Sequence, residues 1–279
     1  MTDEDNRIGP DLGIDQAQPS RMYDYMLGGK DNYDADREAV EKIEQLLPSV
    51  RRAARTNRDF MIRAARFVAQ AGIRQFLDIG TGIPTEPNLH QTVQQIAPDA
   101  RVVYVDNDPI VLAHARALLV GTPEGRTGFI PADVRAPETI LDAPKLREIL
   151  DLERPVALSL IALMHFIDDD EHPYDIVDTL MNALAPGSYL VMTHITGEFT
   201  PDIADRAVQI YRDSGITFRL RDRVEFTRFF DGLDLVDPGI ETPHRWHPDG
   251  IVPPRSMDKQ MVGYAGVARK PDPGGSADV

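Results

Sequence analysis

Phe76-Leu77-Asp78-Ile79-Gly80-Thr81-Gly82-Ile83-Pro84-Thr85 decides how the rest of this chain is read. An apolar run carries one acidic residue, two glycines stand one residue apart, and Thr85 opens a helix-like segment, so the order is strand, tight turn, helix N-terminus. Glycine lets a backbone come close to a bound molecule, and the free N–H groups of a helix start attract a carboxylate or phosphate. A G-x-G turn by itself also closes many ordinary α/β connections, so the residues downstream of it carry the decision.

Downstream, the α/β pattern repeats. Residues 86–97 read as a helix, 101–105 as a strand, and 109–120 as a helix with Pro109 at its first position. The strand leads into Asp106-Asn107-Asp108. An acidic residue at the carboxyl end of the second strand of a doubly wound sheet faces the ligand crevice and can accept both hydroxyls of a ribose. Asp106 has that position, although capping the next helix is a second use for it, and Asp108 beside Pro109 suits that use equally. A third strand, 127–132, leads into Asp133, a carboxylate on the same edge that can accept from an amino group. A helix is expected over 137–150. The fourth strand, 156–162, is nearly all apolar, as a buried parallel strand should be.

Leu163-Met164-His165 then precedes Phe166-Ile167 and the run Asp168-Asp169-Asp170-Glu171-His172. That run reads as the capped, acidic start of a helix over 171–184, with Asp170 as the cap, and no metal is assigned to it. A fifth strand over 188–195 contains Thr193-His194. Helices over 201–214 and 222–230 and strands over 233–236 and 260–268 complete the pattern, with His244-Arg245-Trp246 in the last long loop.

Upstream, residues 1–19 are acidic and aperiodic and read as a loose tail. Residues 20–33 crowd Tyr23, Tyr25, Lys30 and Asn32 with a Gly-Gly pair into a stretch too short for a helix of its own, a composition suited to a lid or to a packed arm. Its Gly-Gly-Lys lacks the spacing of a phosphate loop and no strand precedes it. Two helices follow, from residue 32 or 34 to 47 and over 49–71, the second ended by Gly72. Arg51, Arg55, Arg58 and Arg66 fall near one stripe of that helix, which can face solvent or answer an anionic ligand group. Residues 20–72 thus form an arm and helices, 73–270 the α/β domain, and 271–279 a Pro/Gly-rich tail.

Composition narrows the function. At 279 residues with 42% hydrophobic content, the chain can bury a substantial core. Zero cysteines exclude disulfides, thiolate metal sites and a cysteine nucleophile. The absence of a long apolar run or apolar leader gives an expectation of a cytoplasmic protein. A formal charge of −15 opposes a phosphate backbone, so a small molecule or a protein is the expected partner rather than nucleic acid, and no membrane is expected. Only five of the 30 basic residues are lysine, which reads as the coding bias expected of a GC-rich bacterial genome rather than as function.

Asp78-Ile79-Gly80-Thr81-Gly82, Asp106, Asp133 and Leu163-Met164-His165 resemble, in this order, the successive motifs of class I S-adenosylmethionine-dependent methyltransferases. Tyr23-Asp24-Tyr25, Leu27-Gly28-Gly29-Lys30-Asp31-Asn32 and Val105-Asp106-Asn107-Asp108-Pro109 add a resemblance to a bacterial family long catalogued as a domain of unknown function and assigned to these enzymes by similarity. It spans residues 20–268. The resemblance implies a Rossmann-like α/β fold: a seven-stranded, mostly parallel sheet with its last strand antiparallel, beneath an N-terminal helical lid. It implies S-adenosyl-L-methionine as cofactor and S-adenosyl-L-homocysteine as product. It assigns cofactor binding to Asp78, Gly80, Thr81, Gly82, Asp106, Asn107, Asp133, Val134 and Leu163.

Ile83-Pro84 stands where a third glycine is usual, which disfavours a pyrophosphate and hence a nicotinamide-dependent oxidoreductase. A non-catalytic cofactor-binding regulator is the other alternative. The Leu-Met-His context resembles small-molecule O-methyltransferases. His165 is accordingly the first candidate for a general base, or else packs under the adenine. Tyr23, Tyr25, Lys30, Asn32, Arg58, His194 and Trp246 are candidates for contacting the acceptor or closing over it.

Overall fold

The computed structural model of the chain describes residues 13–118, 121–251 and 254–272. Strict alternation along the middle strands builds the core. Leu77, Val103, Val105, Leu158, Leu190 and Met192 enter one apolar cluster. Their neighbours Phe76, Val102, Tyr104, Ala157 and Val191 enter another on the opposite side. A strand buried on both faces must sit between two helical layers.

The strands are β1 Gln75–Ile79, β2 Arg101–Asp106, β3 Arg126–Pro131, β4 Ala157–Leu160, β5 Tyr189–Ile195, β6 Asp234–Leu235 and β7 Gly263–Arg269. They form one sheet in the order β3-β2-β1-β4-β5-β7-β6. The first five are mutually parallel, and β7 runs antiparallel to β5, as the resemblance implied. The order reverses at β1, so the crevice beyond the carboxyl ends of β1 and β4 is the topological switch point.

Helices α1 Pro19–Leu27, α2 Asp34–Leu46 and α3 Val50–Gln70 precede the sheet. They are followed by α4 Leu89–Gln94, α5 Pro109–Leu118, α6 Pro137–Leu141 and α7 Pro144–Ile149. The last three are α8 Pro173–Asn182, α9 Pro201–Asp213 and α10 Arg223–Thr227. Among the described residues, no helix is long and apolar enough to cross a membrane.

Several expectations are corrected. Residues 20–33 do contain a helix, α1, because Met22 and Met26 at i and i+4 bury against Ala39, Val40 and Ile43 of α2. Packing stabilises nine residues that would not hold a helix alone, and Gly28 ends them at φ +89°. Defined structure also begins earlier than Ser20: Ala17 is buried, and Gln18 N–H donates to Asp36 Oδ1 at 2.8 Å. The expected loose segments at 1–12 and 273–279 lie outside the described residues.

The helix expected over 86–97 is only Leu89–Gln94. Pro87 keeps Glu86 out of helical geometry, and Asn88 supplies the cap, its N–H bonded to Gln91 Oε1 at 2.6 Å. The glycine turn is therefore followed by a loop, not by a helix N-terminus. Pro144 likewise divides the helix expected over 137–150 into α6 and α7. Asp168, not Asp170, caps the acidic run, which forms a 3₁₀ turn over Asp169–Glu171 before α8 begins at Pro173.

Candidate functional site

The chain leaves β1 through Gly80 at φ +74° and Gly82 at φ +66°. The N–H groups of Gly80 and Thr81 both donate to the Val105 carbonyl of β2, at 2.8 and 3.2 Å, which draws the turn across the sheet edge. A Cβ at Gly80 would lie 2.7 Å from Leu163 Cδ1, whereas one at Gly82 would meet nothing within 4 Å. Gly80 thus lets Leu163 pack closely, and Gly82 faces open space.

Asp106, at the end of β2, is only 8% exposed. Its Oδ2 accepts from Gly82 N–H at 2.8 Å and its Oδ1 from Asp108 N–H at 3.0 Å. Burial pushes its carboxyl up to about 6, against the pull of those two donors. Asp78 is also raised to about 6 by burial, opposed by its hydrogen bond to Ser159 and by Arg58. The two uses weighed for Asp106 and Asp108 separate here: Asp108 Oδ1 accepts from Ile110 N–H at 2.8 Å and starts α5. Asp133, past β3, accepts from Asn107 Nδ2 at 2.8 Å and from Arg135 N–H at 2.9 Å. The rims of β2 and β3 are linked by that first contact.

All nine residues assigned to the cofactor line one cavity of about 330 Å³ at this edge, together with Tyr23 and Arg58. Arg58 reaches it from α3, donating to the carbonyls of Thr85 and Pro87 and leaving its buried Nε without a partner. Sequence reasoning, which began the lid at Ser20, missed the rest of the roof: Gln16 to Pro19 on one side and Ser214 to Thr217, after α9, on the other. Ser20 Oγ donates to Asp108 Oδ2 at 2.7 Å, and the buried Arg21 Nε lies 3.8 Å from the same carboxylate, so the arm is tied to the rim it covers. Pro19 at a helix start was the only local signal for the first segment.

Other candidates lie elsewhere. Tyr25 holds Glu41 through its hydroxyl at 3.3 Å and carries the Arg51 guanidinium 4.4 Å above its ring. Lys30 is exposed away from the cavity. Asn32 is buried as a structural link, donating to Asp24 Oδ2 at 2.7 Å and accepting from Arg37 Nε at 2.7 Å. Trp246 is fully buried, edge-on to Phe60 at 5.4 Å and Phe67 at 5.5 Å, and belongs to the core under α3.

His165 and His194 line a second, smaller cavity of about 90 Å³. It shares Pro19, Tyr23, Ala162 and Phe166 with the first. His194 is fully engaged: its Nδ1 meets the Ile195 carbonyl at 2.7 Å and its Nε2 meets Arg221 Nη1 at 2.9 Å. Because a guanidinium only donates, Nε2 is the acceptor and His194 is neutral, with its proton on Nδ1. Burial and then the Arg221 charge lower its pKa to about 3. His165 is held well below the usual histidine value by burial first, then His194 and Arg221. The acidic run serves structure, since Asp169 accepts from Arg221 at 2.7 Å and Arg219 at 3.0 Å.

The sequence profile described as S-adenosyl methyltransferase matches residues 5–271. This chain belongs to the S-adenosyl methyltransferase family. The methyltransferase is similar to a DUF574 family protein from Streptomyces avermitilis, with 49% identity and a TM-score of 0.91 over 93% of this chain and 100% of that one. It is also similar to a Thermobifida fusca protein provisionally assigned as a methyltransferase, with 39% identity and a TM-score of 0.86 over 95% and 99% of the two chains. The plantazolicin methyltransferase, crystallised with S-adenosylhomocysteine, shares the fold at 11% identity and a TM-score of 0.50 over 90% and 95%. No protein of curated function matches the chain. The cofactor of this methyltransferase is S-adenosylmethionine, and the nicotinamide alternative falls.

Proposed function

We propose that this methyltransferase transfers the methyl group of S-adenosylmethionine to an oxygen or nitrogen of a small-molecule acceptor. One observation carries the proposal: the residues assigned to the cofactor line a single cavity whose lining also includes Gln16 to Ser20 of the chain's own arm.

The residues present fit the cofactor. Open space at Gly82 admits the methionine portion beside the turn. Asp106 accepts the ribose hydroxyls, Asp133 with Asn107 meets the adenine amine, and Val134 and Leu163 cover the base. Arg58, with its unpartnered Nε, answers the carboxylate of the amino-acid tail. Asp78 and Asp106 favour a cationic sulfonium over the neutral thioether. When bound, S-adenosylmethionine supplies an electrophilic methyl carbon, whose bond to sulfur breaks with its electron pair remaining on sulfur as the acceptor's lone pair forms the new bond. The chain orients the partners and excludes water. The acceptor's proton leaves to His165 or to water. His194, with both nitrogens engaged, has no free lone pair for that role.

The test is methyl transfer from labelled S-adenosylmethionine into a metabolite extract, beside calorimetry with S-adenosylhomocysteine. Label in a small product is the expected result. Tight binding with no labelled product across extracts would favour the regulator instead.

The carboxyl of Asp106 sets a pH dependence. Ionised, it accepts hydroxyl protons; protonated, one oxygen becomes a donor and an acceptor is lost. With its value near 6, affinity for S-adenosylhomocysteine should be flat above pH 7 and fall as pH drops through 6, by up to about tenfold per unit for one linked proton. Calorimetry from pH 5 to 8 measures it, and an affinity unchanged at pH 5 would exclude the ionised carboxylate from the contact.

A further inference from the structure

The second cavity is unlike the rest of the molecule. Of 279 residues, 27% are charged, yet no Asp, Glu, Lys or Arg among the described residues lines this cavity. Its wall is largely apolar, and Met22, Met26, Val50, Ala53, Met261 and Val262 are among the residues that supply it. The polar groups that reach it are mostly satisfied by the protein itself. Tyr23 Oη donates to the Ala54 carbonyl at 3.0 Å and accepts from Asn57 Nδ2 at 2.9 Å. Tyr264 Oη donates to Glu198 Oε2 at 2.8 Å, and Thr193 Oγ1 accepts from Ala162 N–H at 2.9 Å. His194 is bonded at both nitrogens.

One atom breaks the pattern. His165 is 2% exposed, and its Nδ1 is buried with no hydrogen-bond partner. A buried polar atom left bare is costly enough that native structures nearly always pair it. The backbone beside it is strained as well: Ala162, in the wall shared by the two cavities, holds φ +53°, a conformation a residue with a Cβ keeps only where its surroundings enforce it.

Building on the proposed transfer reaction, we infer that the second cavity is the acceptor site and that the acceptor is an uncharged, largely apolar small molecule. It carries one hydroxyl or amine, which His165 Nδ1 engages. A charged group would enter an apolar wall with no counter-ion, whereas an apolar body is favoured there by burial. The volume of about 90 Å³ is below the roughly 150 Å³ of an engineered apolar cavity that holds benzene, so the cavity itself takes a short branched chain or the edge of one ring and the remainder lies on the side it shares with the cofactor cavity. The shared wall lets the rest of the acceptor extend toward the cofactor cavity.

The test uses the full chain saturated with S-adenosylhomocysteine, titrated with phenol, toluene, benzoate and benzylammonium. Phenol should bind at least tenfold more tightly than benzoate or benzylammonium. In His165→Phe, phenol should weaken to the level of toluene while toluene is unchanged. Ala53→Leu, or Val50→Phe if the first fails to fold, should weaken phenol at least tenfold and change S-adenosylhomocysteine affinity less than twofold. Absence of phenol binding, equal or tighter binding of either ion, or phenol affinity untouched by the filling variants would overturn the inference. Failure of the wild type to bind S-adenosylhomocysteine would instead strike the cofactor reading, and titration of the ligand-free protein would still decide the cavity.

Discussion

Replacement of Asp106 by alanine should weaken S-adenosylhomocysteine binding more than 100-fold. A hydrogen bond to a charged group contributes about 1.5–3 kcal/mol, and two ribose hydroxyls on one carboxylate bring the sum to at least about 3 kcal/mol. Each 1.4 kcal/mol is about tenfold in affinity. The same carboxylate also secures the turn, through Gly82 N–H at 2.8 Å, and the start of the next loop, through Asp108 N–H at 3.0 Å. Its removal leaves those donors bare and the cavity edge free to spread. Asp106→Asn keeps the shape and one acceptor, so it should fall between wild type and Asp106→Ala. Asp133→Ala should cost less, because that carboxylate is half-exposed and in the proposed pose would make one contact with the base rather than two with the sugar. Calorimetry reads all three, and a loss of less than fivefold in Asp106→Ala would remove the ribose from this residue.

The largest effect on stability is expected at a residue outside both cavities. Arg221 has no exposed side-chain surface. Its Nη1 donates to the Met164 carbonyl and to His194 Nε2, both at 2.9 Å. Its Nη2 donates to the Ile167 carbonyl at 3.0 Å and to Asp169 Oδ1 at 2.7 Å. One planar fork therefore holds the whole turn after β4, which presents Leu163 and His165. Arg221→Met keeps the bulk but orphans two carbonyls and a histidine nitrogen. Removing one partner of a buried ionic network costs about 3–5 kcal/mol. At about 2–4 °C per kcal/mol for a chain near this size, the melting temperature should drop by roughly 6–20 °C. Lysine should rescue little, since a single ammonium cannot reach acceptors on opposite sides.

The loss should also shrink as pH falls. In the wild type the folded value of His194, about 3, lies below the unfolded one near 6.5. Its contribution is therefore complete above pH 6.5 and is lost as pH falls toward 3. With the Arg221 charge gone, His194 can protonate and donate to the bare carbonyls, so the variant loses less of its own stability on acidification. Thermal melts at pH 7.5 and 5 test both points, and equal melting temperatures for variant and wild type at pH 7.5 would exclude a structural role for the fork.

Much of the first cavity's lining was legible because its residues occupy positions that strand periodicity marks. Asp78 lies within β1, Asp106 ends β2 and Asp133 comes after β3, and a parallel sheet delivers all three carboxyl ends to one edge whatever else the chain does. The roof was not legible. Gln16 to Pro19 have no period or motif, and they are held over the crevice by Gln18 N–H on Asp36 and by Ser20 and Arg21 on Asp108, 88 and 87 positions away in the sequence. Trp246 misled for a related reason. An aromatic residue in a loop suggests a lid, but the loop turns its ring under α3, where Phe60 and Phe67 wait.

By itself, the order of apolar runs, glycines and acids determined the layered sheet and the crevice at its carboxyl edge, since both depend on local geometry repeated strand by strand, whereas the cofactor was implied by the resemblance of the motifs to a known family. Tertiary structure alone decided which candidates line a cavity and which are merely structural, and that two cavities meet at Ala162. That division comes from range: a strand end is set by its own neighbours, whereas a cavity wall is assembled from α1, α3, β5 and β7, and no local pattern records their meeting.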